Sequence, residues 1–224
     1  MHYNLNRISI LYCVIILIFH FTSTNNVYGQ ENCEQKKNEE GIQVYLCETS
    51  GSPFKTVSVN FTAKTTLKQY AAGVLDIANI TKWQTNIINQ YVLKTINEKE
   101  LIYYCEVDAP WPIAHRDLIF RFKMSQDSTT KVLTVTLKQL PEYIPVKKDI
   151  VRVPKAESIL TVTPLSESKV KVNYTIHVDP GGEVPAFIVN LFAVQGPWQT
   201  YKNYRDLLST GAISDSEIDF IENY

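Results

Sequence analysis

The chain has 224 residues, 45% of them hydrophobic and 20% charged, and its formal net charge is −1. These values are ordinary for a soluble globular protein, and the length suits one domain with a core of its own. The near-neutral charge supplies no basic surface, so no nucleic-acid partner is expected. Thirteen tyrosines and nine phenylalanines favour a β-rich protein with aromatic interior surfaces.

The N-terminus has the pattern of a secretory signal peptide. The residues up to Arg7 carry one fixed side-chain charge, residues 8–21 are almost wholly apolar, and Val27 and Gly29 place small residues before a cleavage point. This order predicts a signal peptide over residues 1–29, cleaved after Gly29. The apolar stretch is shorter than the roughly 20 residues of a membrane helix. We therefore expect a secreted or periplasmic protein, with an uncleaved anchor as the alternative.

The segments that follow read as a short helix, two strands and a second helix. Residues 31–40 are charged and are predicted to form a short helix that ends at Gly41. Alternating apolar residues predict strands over 42–48 and 54–62. Apolar residues at helical spacing predict a helix over 66–77.

The middle of the chain alternates like a half-buried antiparallel sheet. In residues 170–178, Val172 and Tyr174 share one face, while Asn173 and His177 share the polar face, which is expected to be solvated. Six further stretches are predicted as strands, the last two forming one strand bent near Pro154: 87–96, 101–107, 118–124, 131–138, 150–153 and 158–163.

The last long element is predicted as a helix from about Val184 to Leu208. Residues 186–194 are apolar nearly all round, which is typical of a helix that is buried on both sides or touches lipid. Gly196-Pro197 is expected to kink or interrupt this helix, because proline lacks an N–H and clashes with the preceding turn. Residues 209–224 form an acidic tail with no predicted role.

Three cysteines remain after cleavage of the signal peptide: Cys33, Cys47 and Cys105. Strand alternation places Cys47 and Cys105 on opposite sides of the sheet, which leaves Cys33–Cys47 as the candidate disulfide. Whether it forms stays open, since export permits a disulfide without requiring one. No spacing of cysteine and histidine suggests zinc, and no metal or cofactor is predicted.

Three motifs in this order carry a family resemblance: Pro110-Trp111-Pro112 with Arg116-Asp117, then Val151-Arg152-Val153, then the stretch 179–185 with Asn190 after it. Together they resemble the START (steroidogenic acute regulatory protein-related lipid transfer) domain family, in particular its secreted or periplasmic bacterial members. The matched region runs from about Glu39 to Leu208, and the START-like domain is assigned to residues 30–208.

The resemblance implies an α+β helix-grip fold, in which a curved antiparallel β-sheet wraps around a long C-terminal helix. An internal apolar cavity would hold one lipid or sterol-like molecule, without catalysis. It further implies transient membrane contact and a monomer. Release of the ligand would need the helix over 184–194 or the loop over 140–148 to move.

Strand alternation and the apolar helix select the side chains expected to contact the ligand. Trp111, held between two prolines, is interpreted as a packing residue instead. The predicted lipid-binding residues are Tyr103, Arg116, Phe120, Phe122, Val135, Tyr174, Phe187, Ile188, Leu191 and Phe192.

Arg116 has two open interpretations. It shares the apolar face of its strand with Leu118 and Phe120, so its guanidinium is expected to point inward, where a charge must be paired. A wall carboxylate such as Asp108 or Glu106 could pair with it and hold the curvature of the sheet. Alternatively, its planar fork could bind a phosphate or carboxylate of the lipid.

Two rival functions belong to other classes. One is a cyclase- or hydrolase-like enzyme of the same architecture that uses His115 or Arg116, although no serine or cysteine nucleophile is tied to them by spacing. The other is an envelope sensor or interaction module that binds a partner through the tail 209–224.

Overall fold

Ten strands form one sheet in the computed structural model, which describes residues 32–109, 113–215 and 218–224. The predicted signal peptide and Trp111 lie outside these ranges. The sheet order is β1-β2-β3-β10-β9-β7-β6-β5-β4, all antiparallel, with β8 parallel to β6. The strands are β1 Cys33–Glu39, β2 Ile42–Cys47, β3 Thr56–Ala63, β4 Ile87–Asn97, β5 Glu100–Val107, β6 Arg116–Gln126, β7 Leu133–Gln139, β8 Val151–Arg152, β9 Lys155–Ser166 and β10 Lys169–Asp179.

Three α-helices and one 3-10 helix complete the described chain: α1 Leu67–Leu75, the 3-10 helix Ile77–Lys82, α2 Ala186–Phe192 and α3 Gln195–Ser209. Helix α1 begins after Thr66, whose hydroxyl accepts a hydrogen bond from the backbone N–H of Gln69 and so satisfies a free donor of the first turn. The curved sheet with a C-terminal helix confirms the predicted α+β helix-grip fold.

The charged segment predicted as a helix is strand β1 instead. The chain reverses at Glu40 and Gly41, both with positive φ (50° and 75°), as the two central residues of a tight hairpin turn require. This hairpin pairs β1 with β2 and places Cys33 opposite Cys47, and the two form a disulfide. Strand β1 is an edge strand, so its charged side chains can remain in water.

The strand predicted to bend near Pro154 is two separate strands. Strand β8 runs parallel to the start of β6, where the N–H groups of Val151 and Val153 donate to carbonyls at the start of that strand. Strand β9 then pairs with β7 and β10. Pro154 lies between them, and its missing N–H suits the point at which the chain leaves one neighbour for the next.

The C-terminal helix breaks earlier than predicted. Helix α2 ends at Phe192 and α3 begins at Gln195, so the interruption precedes Gly196-Pro197. Pro197 lies in the first turn of α3. Backbone N–H groups there have no acceptor within the helix, so the missing N–H of proline costs no hydrogen bond.

The core lies between the concave face of the sheet and helix α3. The Tyr201 ring contacts the rings of Phe61 and Tyr174 at centroid distances of 5.3 and 5.1 Å. Tyr204 is fully buried, and its hydroxyl donates to the Tyr70 carbonyl of α1 over 2.6 Å. Gly73 permits this approach, because a Cβ at that position would come within 2.4 Å of the Tyr204 hydroxyl.

The segment after α3 packs back onto the domain. Ile218 and Ile221 are buried in the core. The side chain of Gln126 exchanges hydrogen bonds with the backbone of Glu222, whose carboxylate pairs with Lys131. Buried isoleucines therefore hold the acidic tail in the core, and polar contacts of Glu222 attach it to the β6–β7 hairpin.

Candidate functional site

A cavity of about 440 Å³ lies between the concave face of the sheet and helix α2. This volume falls within the roughly 300–1,000 Å³ typical of small-molecule sites. Its walls are mainly aliphatic and aromatic side chains from six strands, including Val57, Ile87, Tyr103, Phe120, Leu137 and Tyr174.

Strand pairing explains why these side chains meet. Tyr103 of β5 lies opposite Phe120 of β6, and Cys105 lies opposite Leu118. Because directly opposed residues project from the same face of a sheet, both pairs point into the cavity. The Tyr103 and Phe120 rings are 5.7 Å apart.

Helix α2 covers the cavity but buries none of its own residues. Ile188 and Phe192 line the cavity, whereas Phe187 and Leu191 are 73% and 72% exposed. The side chain of Asn190 holds the helix to the β2–β3 loop: its Oδ1 accepts from the Lys55 N–H over 3.0 Å, and its Nδ2 donates to a loop carbonyl over 3.3 Å. The cover is therefore held by few contacts.

Six of the ten predicted ligand-contacting residues line the cavity: Tyr103, Arg116, Phe120, Tyr174, Ile188 and Phe192. Phe122 and Val135 line a smaller void of about 60 Å³ deeper in the fold, which also touches Tyr103 and Tyr174.

The remaining two predicted contacts, Phe187 and Leu191, lie on the outer surface of α2. They are four residues apart and so share one face of the helix, while Ile188 and Phe192 share the neighbouring face. We call the exposed residues Phe187, Leu191 and Phe192 the α2 patch.

Several wall residues were missed by sequence reasoning. Ile176 and Val178 line the cavity and continue the alternation of Tyr174, so the pattern of β10 could have identified them. Gln84 and Asn86 follow the 3-10 helix, where no periodic pattern exists. Cys105 also lines the cavity, and burial raises the pKa of its thiol to about 12, which keeps it protonated and unreactive.

Arg116 enters the cavity wall at the start of β6. It donates to the carbonyls of Ala114 and Gly181, the latter over 3.3 Å. The turn that presents the second carbonyl is built by Asp179, whose carboxylate accepts from the Gly181 N–H over 3.0 Å. Gly181 and Gly182 both have positive φ, so the sequence Asp-Pro-Gly-Gly is required by the shape of this turn.

Asp117, the next residue, points to the opposite face of the sheet and is fully buried there. It forms a two-point ion pair with Arg152, with distances of 2.7 and 3.0 Å. The same guanidinium donates to three carbonyls of the loop over residues 141–145. This loop is thereby fixed to the outer face, away from the cavity, which argues against its predicted role in ligand release.

Neither His115 nor His177 lines the cavity. His115 lies 3.2 Å from Asp108 and is half-exposed, and no hydroxyl or thiol of the described residues is hydrogen-bonded to it. His177 was expected to be solvated but is buried, and the hydroxyls of Thr49 and Thr56, at 3.4 and 3.5 Å from its Nδ1, provide polar partners there.

Comparisons with known proteins agree with this architecture. An uncharacterized protein of Pseudomonas aeruginosa is 29% identical over 175 residues, which cover 78% of this chain and 86% of the relative. The phosphatidylcholine transfer protein of Bos taurus is 26% identical over 166 residues, covering 70% of this chain and 75% of that protein. A crystal structure of a STAR-related lipid transfer protein fragment from Xanthomonas axonopodis superposes with a TM-score of 0.73 at 28% identity, covering 79% of this chain and 98% of the other.

The family model of the START domain matches residues 32–206, most of the chain. The match spans the sheet, the cavity and helix α2, and it confirms the resemblance predicted from the three motifs. The chain belongs to the START domain family.

Proposed function

We propose that the protein binds one lipid or other apolar small molecule in the cavity, as a monomer and without catalysing a reaction on it. The observation that carries the proposal is an apolar cavity of about 440 Å³ beneath a helix that buries none of its own residues. Burial of apolar ligand surface would supply about 25 cal/mol per Å². Relatives with a functional name are named for lipid transfer, which supports this assignment.

Transfer between membranes is the second part of the proposal. The α2 patch places three large apolar side chains in solvent on the element that covers the cavity. Contact of this patch with a bilayer would bury those side chains and move α2 in the same step. Among the described helices, none is both long and apolar enough to cross a membrane.

An extracytoplasmic location completes the proposal. The N-terminal sequence pattern supports export, and so does the Cys33–Cys47 disulfide, because such bonds persist mainly in oxidising compartments. Analysis of the N-terminus of the mature protein would test it, with cleavage after Gly29 as the expected result.

Substitution of a wall residue tests the binding site. Phe120→Gln places an amide in the apolar wall, where it has no partner, and should weaken binding of the uncharged probe N-phenyl-1-naphthylamine about tenfold or more. Phe187→Gln is the matched control, because Phe187 lies on α2 outside the cavity. Equal affinity of the folded Phe120→Gln variant and the wild type would contradict the proposed site.

A further inference from the structure

Arg116 is a buried cation without a buried anion beside it. Its side chain lies in the cavity wall, and the residue is only 8% exposed. Among the residues that the structure describes, no carboxylate lies within ion-pair distance of it, and its hydrogen-bond partners are the carbonyls of Ala114 and Gly181. A buried guanidinium in this state has lost hydration that two neutral acceptors replace only in part.

The acidic groups nearest in sequence or at the same opening do not provide the missing charge. Asp117 is on the other face of the sheet with its own arginine, and Glu106 accepts from Tyr104 and pairs with a lysine. Asp108 is an exposed partner of a histidine, and Glu183 is exposed at the cavity opening. Neither Asp108 nor Glu106, the two carboxylates expected from the sequence to pair with Arg116, is among its described contacts.

Arg116 lies at the boundary between the cavity and the outer surface. The side chain lines both the cavity and an outer depression, which is also lined by residues 113–114 and 182–185 and by Ile188. Within the described residues, carbonyls accept from two of its five N–H donors, and a further acceptor could bind the other three. Gly182 borders this site, since a Cβ there would be in ordinary contact with the Arg116 Nη2 at 3.6 Å.

The surroundings of Arg116 favour an anionic acceptor over a neutral one. Burial lowers the pKa of its guanidinium, because the charged form has lost solvent. An anion restores that stabilisation, and its hydrogen bonds to a guanidinium are the stronger, charge-assisted kind. Lys55 and Asp108 also line the cavity, but Asp108 is exposed and lies beside His115, so no buried carboxylate of the described residues balances the charge of Arg116.

We infer that the ligand is a single-chain amphiphile with an anionic group, a carboxylate or a phosphate, which binds Arg116 while the apolar chain lies along Tyr103 and Phe120. The inference rests on the proposed function and adds the chemical class of the ligand. A single chain is favoured because about 440 Å³ lies toward the lower end of the roughly 300–1,000 Å³ seen for ligand sites.

Three probes with one chain and different head groups test the inference: oleate, oleyl phosphate and uncharged oleyl alcohol. The wild type should bind at least one of the two anions about tenfold more tightly than the alcohol. The tighter of the two anions identifies carboxylate or phosphate as the preferred group. This comparison needs no variant.

Arg116→Gln should remove the preference for the anion and leave the affinity for oleyl alcohol within about twofold, because only the charge-assisted bonds depend on the guanidinium. Arg121→Gln is the matched control: it removes the same charge from the same strand, but Arg121 lies on the outer face, paired with Glu100. Arg116→Lys keeps the charge, should keep part of the preference, and serves if Arg116→Gln does not fold.

The two assignments fail in different ways. Arg116 would not be an anion contact if the wild type bound all three probes with equal affinity, or if folded Arg116→Gln lost affinity equally for all three. Either result would still leave the proposed ligand-binding cavity in place. Failure of the wild type to bind any of the three, or N-phenyl-1-naphthylamine, would overturn the proposed function and this inference with it.

Discussion

Helices α2 and α3 are consecutive in the chain but have opposite relations to the core. Helix α3 buries Trp198, Tyr201, Tyr204 and Leu208, which pack on α1 and the sheet. Helix α2 buries nothing. One helix is part of the scaffold, and the other covers a cavity that the scaffold has already formed.

The composition of the two helices suggests the reverse arrangement. Helix α2 is apolar except for Asn190, whereas α3 carries Lys202, Arg205 and Asp206 among its aromatic residues. In α3 the polar residues occupy one side and leave a stripe that enters the core. In α2 one face lines the cavity and the other faces solvent, so its hydrophobicity suits contact with a ligand and a membrane more than packing in the core.

The largest expected effect follows from removing an aromatic side chain of α3. Tyr204→Ala deletes a fully buried ring that lies 4.3 Å from the Trp83 ring and 5.0 Å from the Tyr70 ring. We expect the free energy of unfolding in urea to fall by about 3–5 kcal/mol. Phe187→Ala on α2 should change it by less than about 0.5 kcal/mol. Comparable losses for the two variants would remove the distinction between scaffold and cover.

The next effect concerns Cys105, which lines the cavity opposite the cover. Its pKa of about 12 in the folded protein exceeds the unfolded value, which is roughly 8.5. The unfolded chain therefore loses its proton first, and stability should fall as pH rises above about 8.5, by up to about 1.4 kcal/mol per pH unit. The free energy of unfolding is measured between about pH 8.5 and about pH 10 for the wild type and for Cys105→Ala. The difference between their two slopes against pH is the contribution of the thiol, because both proteins contain the same tyrosines. Identical slopes for the two proteins would contradict the raised pKa, since the thiol would then ionise as readily in the folded protein as in the unfolded chain.

A smaller effect is expected from loosening the cover. Asn190→Ala removes the two side-chain hydrogen bonds that hold α2 to the β2–β3 loop, at a cost of about 1 kcal/mol. If α2 opens independently, labelling of Cys105 by a small thiol reagent should accelerate about fivefold. Labelling at the wild-type rate in Asn190→Ala would show that another element controls access.

The smallest change in stability should come from the α2 patch. The double substitution Phe187→Ser and Leu191→Ser should alter unfolding by less than about 0.5 kcal/mol, because both residues are exposed. It should nevertheless reduce binding to phosphatidylcholine vesicles and the rate of ligand transfer, since the surface offered to the bilayer is lost. Ile159→Ser, at a half-exposed position of β9, is the control. Unchanged vesicle binding in the double variant would show that the protein does not contact the membrane through these residues of α2.

Much of the fold was predictable where neighbouring residues carry the information. The alternation in β10 correctly indicated one buried face, and the Asp-Pro-Gly-Gly turn was visible as a motif. Strand β1 was not, because its charged sequence resembles a solvated helix and its strand character comes from pairing with β2. The break between α2 and α3 lies before the Gly196-Pro197 pair from which it was predicted.

The candidate site was predictable in its walls but not in its charges. Alternation indicated that Arg116 points inward, and the structure places it in the cavity wall. Its partners are carbonyls from two loops, one of them 65 residues away along the chain. Which charges remain unpaired depends on how distant loops meet, and this cannot be read from spacing within a strand.

The most direct test of ligand binding in the cavity is native mass spectrometry of the purified protein, followed by extraction and identification of any bound molecule. We expect one small apolar molecule per chain, released on denaturation, and an acidic group on that molecule where it contacts Arg116. A protein that binds none of oleate, sterol and phospholipid would contradict the claim that this cavity binds an apolar ligand.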